Sequence, residues 1–280
     1  HFNNPGITVN DAFKPVTKYF DRITRPEQIL QSLPQAVQTM LDPADSGPAC
    51  LSLCQDTQGE VYDYPEEFFK ERTHSIRRPK PDDFQIKEAA EKIKNSKNPI
   101  IISGGGVFYS EAMEELGFFA IKHNIPVTQT VMGYSTMKRD HSHFLGPIGG
   151  LGGKAANNLA KKTDLAIAIG TKLADFTTGS WANFENPNFG LVSLNITRHD
   201  ANKHLAQAVI GDAKVSLIDL SQALGNWKAP DDWYKKSRDE LKSWNEYVDK
   251  ESGPTNQVVP SYAHAVGAIY RNSDPTDIAV

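Results

Sequence analysis

Nine residues constrain this chain more than any others: 98–106, NPIIISGGG. The run Ile100, Ile101, Ile102 and Ser103 is too short for a solitary helix and rich in β-branched side chains. It reads as a strand buried on both faces, the kind found in parallel sheets. The three glycines that follow let the chain turn sharply and let a backbone or a ligand approach closely. An amphipathic helix is predicted over about 110–123, with Met113, Leu116, Phe119 and Ala120 on one side. IPVTQT, residues 125–130, reads as a second strand. That is one β-α-β unit, and residues 81–224 read as further units of the same kind.

Composition narrows the class. The chain has 280 residues, room for about two domains. It is 39% hydrophobic and 23% charged with a net charge of −4, so nothing marks it as a nucleic-acid or anionic-membrane binder. No apolar run approaches the roughly 20 residues that a membrane span needs. The opening HFNNPGITVN has neither a charged leader nor an apolar core, and Cys50 and Cys54 suit a reducing compartment. The expectation is a cytoplasmic protein. The chain starts without Met and stops in the strand-like Asp274-Pro-Thr-Asp-Ile-Ala-Val, so both ends read as cut from a longer protein.

Along the chain, residues 1–24 are hard to place. Thr24 and Glu27 have the spacing of a capping box for a helix carrying Ile29, Leu30, Leu33, Ala36, Val37 and Met40, with Pro34 either kinking or splitting it. ACLSLC, residues 49–54, is a strand. Residues 55–81 lack a period and end in an extended RRPKP linker. A helix over 82–96 presents Phe84, Ile86, Ala89, Ala90 and Ile93. Residues 131–150 read as a long irregular stretch, followed by a helix over 151–162 and a strand at 164–170. A long loop over 171–188 precedes strands at 191–196 and 208–210 and a helix over 213–224. A polar helix over 230–253 and a short one over 261–270 follow, then a turn into a strand at 274–280. The fold class is α/β: a central doubly wound, Rossmann-like parallel sheet with partial α/β domains at both ends. The divisions are 1–78, 79–228, a connector over 229–256, and a last domain beginning at 257–280.

In such sheets ligands bind outside the carboxyl ends of the strands. The candidates there are Gly104, Gly105, Gly106, Gly133, Thr171 and Asp175. The glycine cluster is a candidate phosphate site, but Tyr109 stands where a G-x-G-x-x-G motif needs its last glycine, and a tight strand-to-helix turn is the plainer reading. Gly149-Gly150-Leu151-Gly152-Gly153-Lys154 opens a helix and resembles a phosphate cradle, yet no Ser or Thr follows the lysine and no strand leads into it; a flexible start to the helix is the plainer reading. His141 and His143 beside Asp140 lack a third firm metal ligand, so no metal is expected. Cys50 and Cys54 fall on one face of a strand as small core side chains. No G-x-S-x-G, H-E-x-x-H or paired catalytic carboxylates occur.

Larger blocks carry a family likeness. GPACLSLCQDTQGEVYDYPEEFF resembles the end of the pyrimidine-binding domain of thiamine-diphosphate enzymes. Residues 98–212, with GGG, the H-x-F-L-G loop, DLAIAIGTKLADFTTGSW and the closing GDAK, are similar to that family's central domain. The terminal DPTDIAV resembles the first strand of its pyrophosphate-binding domain. Within the family, VNDAFKPVTKYFDRITRPEQI, CQDTQGEVYDYPEEFF and DFTTGSW are most similar to the branch that hydrolyses a trihydroxycyclohexane-dione in inositol catabolism. The resemblance implies a parent enzyme that uses thiamine diphosphate and Mg²⁺ to cleave a ring carbon–carbon bond of a cyclic polyol-derived diketone to a deoxy-glucuronate. It implies a homo-oligomer, with the activating glutamate and the Gly-Asp-Gly…Asn metal segment outside this chain. No catalytic residue carries over, and no cofactor is expected to bind these residues firmly. Met132-Gly133-Tyr134-Ser135 stands where relatives often show M-G-K-G, and Gly170-Thr171-Lys172 where many show G-T-R. The likeness therefore gives no support to a nucleotide at this edge. The alternatives are a nucleotide-binding module for ADP, FAD or NAD, or an acetolactate-synthase-like lyase.

Overall fold

A computed structural model describes residues 3–274, 276 and 277. The predicted strand over 274–280 therefore lies largely outside the described residues. The chain divides into two compact units, His1–Pro79 and Lys80–Val280.

In the first unit, β1 (Tyr19–Ile23) pairs in parallel with β2 (Ala49–Leu53), and α1 (Ile29–Leu41) connects them. β1 falls where no clear pattern is legible, because YFDRI mixes Asp21 and Arg22 with its apolar residues. Pro34 lies within α1 without splitting it. The helix start differs from the expected capping box: Gln28, not Glu27, closes it, its Oε1 accepting from the backbone N–H of Thr24 at 2.7 Å and of Arg25 at 2.9 Å. Cys50 and Cys54 are free and half-buried.

The second unit is built on one six-stranded parallel sheet. Its elements in chain order are α2 (Asp83–Lys94), β3 (Pro99–Ser103), α3 (Gly105–Tyr109), α4 (Met113–His123), β4 (Val127–Gln129), β5 (Phe144–Pro147), α5 (Lys154–Ala160), β6 (Leu165–Ile169), α6 (Asp175–Thr178), β7 (Gly190–Asn195), α7 (Arg198–Ala201), β8 (Gln207–Ile210), α8 (Ala213–Leu224), α9 (Asp231–Glu251) and α10 (Tyr262–Asn272). The strand order is β5-β4-β3-β6-β7-β8, the doubly wound order in which the chain winds outward to one side, returns to the middle and winds to the other.

Side-chain alternation fixes the layers. Ile100 and Ile102 point to one face of β3 and Ile101 to the other, and all three are fully buried. On one face Ile101, Ile167 and Val192 pack with Ile93 of α2, Leu116 of α4 and Leu217 of α8. On the other, Ile100, Ile102 and Ala168 pack with Leu159 of α5 and with Trp233 and Leu241 of α9. Each buried isoleucine contributes about 2 kcal/mol relative to an exposed one. Caps mark two helix starts: Asp82 Oδ1 accepts from Phe84 N at 2.8 Å, and Asp212 Oδ1 from Lys214 N at 3.0 Å.

Three expectations change here. The stretch 131–150 contains a strand, β5, whose Gly146 and Pro147 disguise it; it sits at the edge of the sheet, where such residues are tolerated. The helix expected over 110–123 is α4, starting at Met113, and an unexpected short helix, α3, precedes it over Gly105–Tyr109; between them Glu111 takes a φ of +52°. Phe84 is not on the core face of α2 but exposed. Both outer strands are irregular or capped. The β4–β5 register slips between Val127 and Thr128, and on β8 the backbone N–H of Ile210 donates to Gln85 Oε1 of α2 at 2.9 Å.

Candidate functional site

The winding reverses between β3 and β6, and their carboxyl ends part there. In sheets of this topology that crevice is where ligands lie. Gly104, Gly105 and Gly106 leave β3, Gly133 lies in the loop after β4, Thr171 follows β6, and Asp175 opens α6.

The structure brings five of these six together. A Cβ at Gly106 would stand 2.6 Å from Gly170 Cα, and one at Gly104 2.6 Å from Thr171 Cβ. A Cβ at Gly105 would lie 2.9 Å from Met132 O, and one at Gly133 would run into the Ser103 carbonyl. Gly170 itself adopts a φ of +59°. Glycine is required here because backbone lies on backbone. Asp175 is exposed and outside this contact.

Four N–H groups at this cluster are spent within the chain. Gly104 N donates to Ile169 O at 2.8 Å, Gly106 N to Gly170 O at 2.9 Å, Gly133 N to Thr130 O at 3.0 Å and Gly170 N to Leu194 O at 2.8 Å. The second glycine run behaves alike: Gly150 N donates to Phe176 O at 2.7 Å and Gly153 N to Pro147 O at 2.8 Å. A phosphate cradle needs free N–H groups aimed at one point. These groups are engaged, so the glycines serve tight turns and close packing.

A buried polar network holds this edge, and the sequence reading missed it. Thr136 Oγ1 lies 2.7 Å from Ser103 Oγ, Gln129 Nε2 donates to Met137 O at 2.9 Å, and Thr128 Oγ1 donates to Ile101 O at 2.9 Å. Asn195, at the end of β7, donates to Thr171 O at 3.1 Å. Asn157 brackets Gly149, accepting from its N–H at 2.9 Å and donating to its carbonyl at 3.0 Å. The available signal was IPVTQT itself: consecutive polar residues in a strand buried on both faces must find partners.

The histidines lie at the opposite, amino end of the sheet. His143 is buried and stacks on Tyr234 of α9 with ring centroids 4.5 Å apart. Ser142 Oγ lies 2.9 Å from its Nδ1. Burial pushes its pKa down to about 4, with the charges of His141 and Arg238 adding to the effect. His141 is lowered too, chiefly by burial, against the pull of Asp140. Among the described residues no three His, Cys, Asp or Glu gather to hold a metal. None of the described helices is long and apolar enough to cross a membrane.

Comparison with known proteins places this architecture. A family model described as "Thiamine pyrophosphate enzyme, central domain" matches residues 86–220. The 3D-(3,5/4)-trihydroxycyclohexane-1,2-dione hydrolase of Clostridium perfringens strain 13 is 49% identical over 221 residues, which are 79% of this chain and 35% of that protein. The protein of the same name from Clostridium tetani is 44% identical over 260 residues, 90% of this chain and 40% of its own length. The one from Bacillus licheniformis is 45% identical over 223 residues, 80% and 35% respectively. The chain thus spans little more than a third of the length of the curated relatives it matches. That match falls on the doubly wound sheet, so what residues 86–220 are similar to is the central domain of thiamine pyrophosphate enzymes.

Proposed function

We propose that this chain is the middle portion of a thiamine-diphosphate-dependent hydrolase that opens the ring of trihydroxycyclohexane-1,2-dione. The observation that carries the proposal is the relatives' shared name at 44–49% identity across 79–90% of the chain. On this reading residues 1–78 are the end of a pyrimidine-binding domain, 79–228 the central domain, 229–256 a connector and 257–280 the start of a pyrophosphate-binding domain. The protein works in the cytoplasm as a homo-oligomer, with Mg²⁺ beside the cofactor.

The cofactor would supply the carbanion chemistry. The residues of this chain do not fit its diphosphate or its metal: the N–H groups of Gly104, Gly106, Gly133 and Gly170 are engaged, and no metal-holding cluster gathers among the described residues. We therefore assign no step of that chemistry to them. Their part is to build a rigid body that sets the spacing of its neighbours.

A segment exchange tests this. The matching segment of the Clostridium perfringens hydrolase is replaced by this chain, and dione hydrolysis is followed with thiamine diphosphate and Mg²⁺. A hybrid within about tenfold of the parent rate supports the reading. A folded, inactive hybrid would overturn it. The second reading, a nucleotide-binding module, draws on the strand order alone. It requires a thermal shift of the 280-residue chain with ADP, NAD or FAD.

A further inference from the structure

Where α4 and α8 pack together over one face of the sheet, a serine, a histidine and a lysine meet. His123, the last residue of α4, is fully buried. Its Nδ1 lies 2.8 Å from the carbonyl oxygen of Trp227, just beyond α8, and its Nε2 lies 3.0 Å from Ser221 Oγ on α8. A carbonyl oxygen can only accept, so Nδ1 carries the proton and Nε2 is the bare nitrogen. Ser221 must then donate its hydroxyl hydrogen to Nε2. From its other side Ser221 Oγ accepts from Lys122 Nζ at 3.1 Å. The same ammonium donates to the Ser221 carbonyl at 3.2 Å, which holds it in place.

Each part has a chemical role. A hydroxyl becomes a nucleophile when a base sits on its proton and a third group orients that base. Here the third group is a backbone carbonyl, which fixes the tautomer without adding a charge. Phe119 packs on the imidazole with ring centroids 4.7 Å apart and holds its plane. Burial keeps His123 below its ordinary pKa, against the pull of the Trp227 carbonyl and with the charges of Lys122 and Lys228 adding to the effect. The imidazole is therefore neutral at neutral pH and able to take a proton. The Lys122 ammonium lies where negative charge gathers on Oγ during attack. Ser221 is only half-buried, so a small reagent can reach it, while its base is closed to water.

We propose that Ser221 is a nucleophile that takes the acyl group of small activated esters, with His123 as its base. Oγ bonds to the acyl carbon and its proton passes to His123 Nε2. The bond from the acyl carbon to the leaving oxygen breaks, and the leaving group departs with the electron pair and takes the proton from Nε2. Water then releases the acyl group as a carboxylic acid: Nε2 takes a proton from the water and returns it to Oγ. This chemistry is separate from ring opening and lies at the amino end of the sheet, away from the glycine edge.

The test mixes the 280-residue chain with p-nitrophenyl acetate near neutral pH, follows p-nitrophenolate release, and locates the acetyl group by peptide mass spectrometry. Acetyl should be found on Ser221, and Ser221→Ala should slow release by about tenfold or more with an unchanged circular dichroism spectrum. Lys122→Gln, at an exposed site, should slow it by about threefold to tenfold. Ser221→Cys keeps a nucleophile beside the same base and should restore release to at least about the wild-type rate, a recovery that a merely structural serine would not show. Acetylation confined to lysines overturns the proposal. So does a folded Ser221→Ala variant that releases p-nitrophenolate as fast as the wild type.

Discussion

The two ends of the six-stranded sheet are made differently. At the amino end, polar side chains reach into the body and bond to backbone. Asp164 accepts from the N–H groups of Lys97 and Asn98 at 2.8 and 2.9 Å, Trp233 Nε1 donates to Pro99 O at 2.8 Å, and Arg238 donates to Phe144 O at 2.8 Å. His123, fully buried, lies between Trp227 O and Ser221 Oγ at 2.8 and 3.0 Å. At the carboxyl end, backbone seals against backbone and apolar side chains face outward. Both ends spend polar groups on cohesion. The carboxyl end also turns apolar side chains outward, and that is the end where this topology places function.

Four substitutions or titrations sharpen or break the contrast, from the largest effect down. Gly106→Ala should destabilise the second unit by roughly 3 kcal/mol or more, since the new methyl meets Gly170 backbone that cannot yield. Urea unfolding measures this, and a loss below about 1 kcal/mol would mean the edge is not sealed as described. Acid comes next. In the folded chain His143 resists protonation until about pH 4, whereas unfolded it titrates near 6.5. Between those values the unfolded state binds the extra proton, so stability falls as pH falls through the window and is complete above it. The loss reaches about 3 kcal/mol at the acid limit. It should shrink in His143→Gln, compared by denaturation at pH 7 and pH 4.5. Buried His123, also lowered chiefly by burial, adds in the same direction. Asp164→Ala strips two backbone N–H groups of their acceptor and should cost about 2 kcal/mol by the same unfolding measurement. Met132→Asp should change monomer stability by less than about 0.5 kcal/mol. A clear loss of thermal stability there would show that Met132 packs into the core and is not the exposed side chain described.

Much of the fold was legible because buried parallel strands announce themselves. PIIIS and LAIAI leave no polar face, and β3 and β6 appear where those runs predict. β5 was not legible, since FLGP is short and interrupted by residues that only an edge strand accepts. The start of α3 on Gly105 and Gly106 contradicts helix propensity, and only packing against Gly170 and the Met132 loop makes it possible. The candidate site was legible in position but not in purpose. Whether Gly104 and Gly106 bind an anion or pack on backbone depends on Ile169 and Gly170, more than sixty residues away, which no local pattern can report. The network of Ser103, Gln129 and Thr136 was hidden for the same reason.

The irregular margins of the sheet have a consequence for how the protein behaves in crowded solution. A straight outer strand with free hydrogen-bonding groups invites a foreign strand to add on. Here one border is short, slips in step and ends at Pro147, and the other has Gln85 capping Ile210. Neither offers a clean template for ladder growth. Any coalescence of this body should run through its side chains, reversibly, and not by the spread of cross-strand fibres.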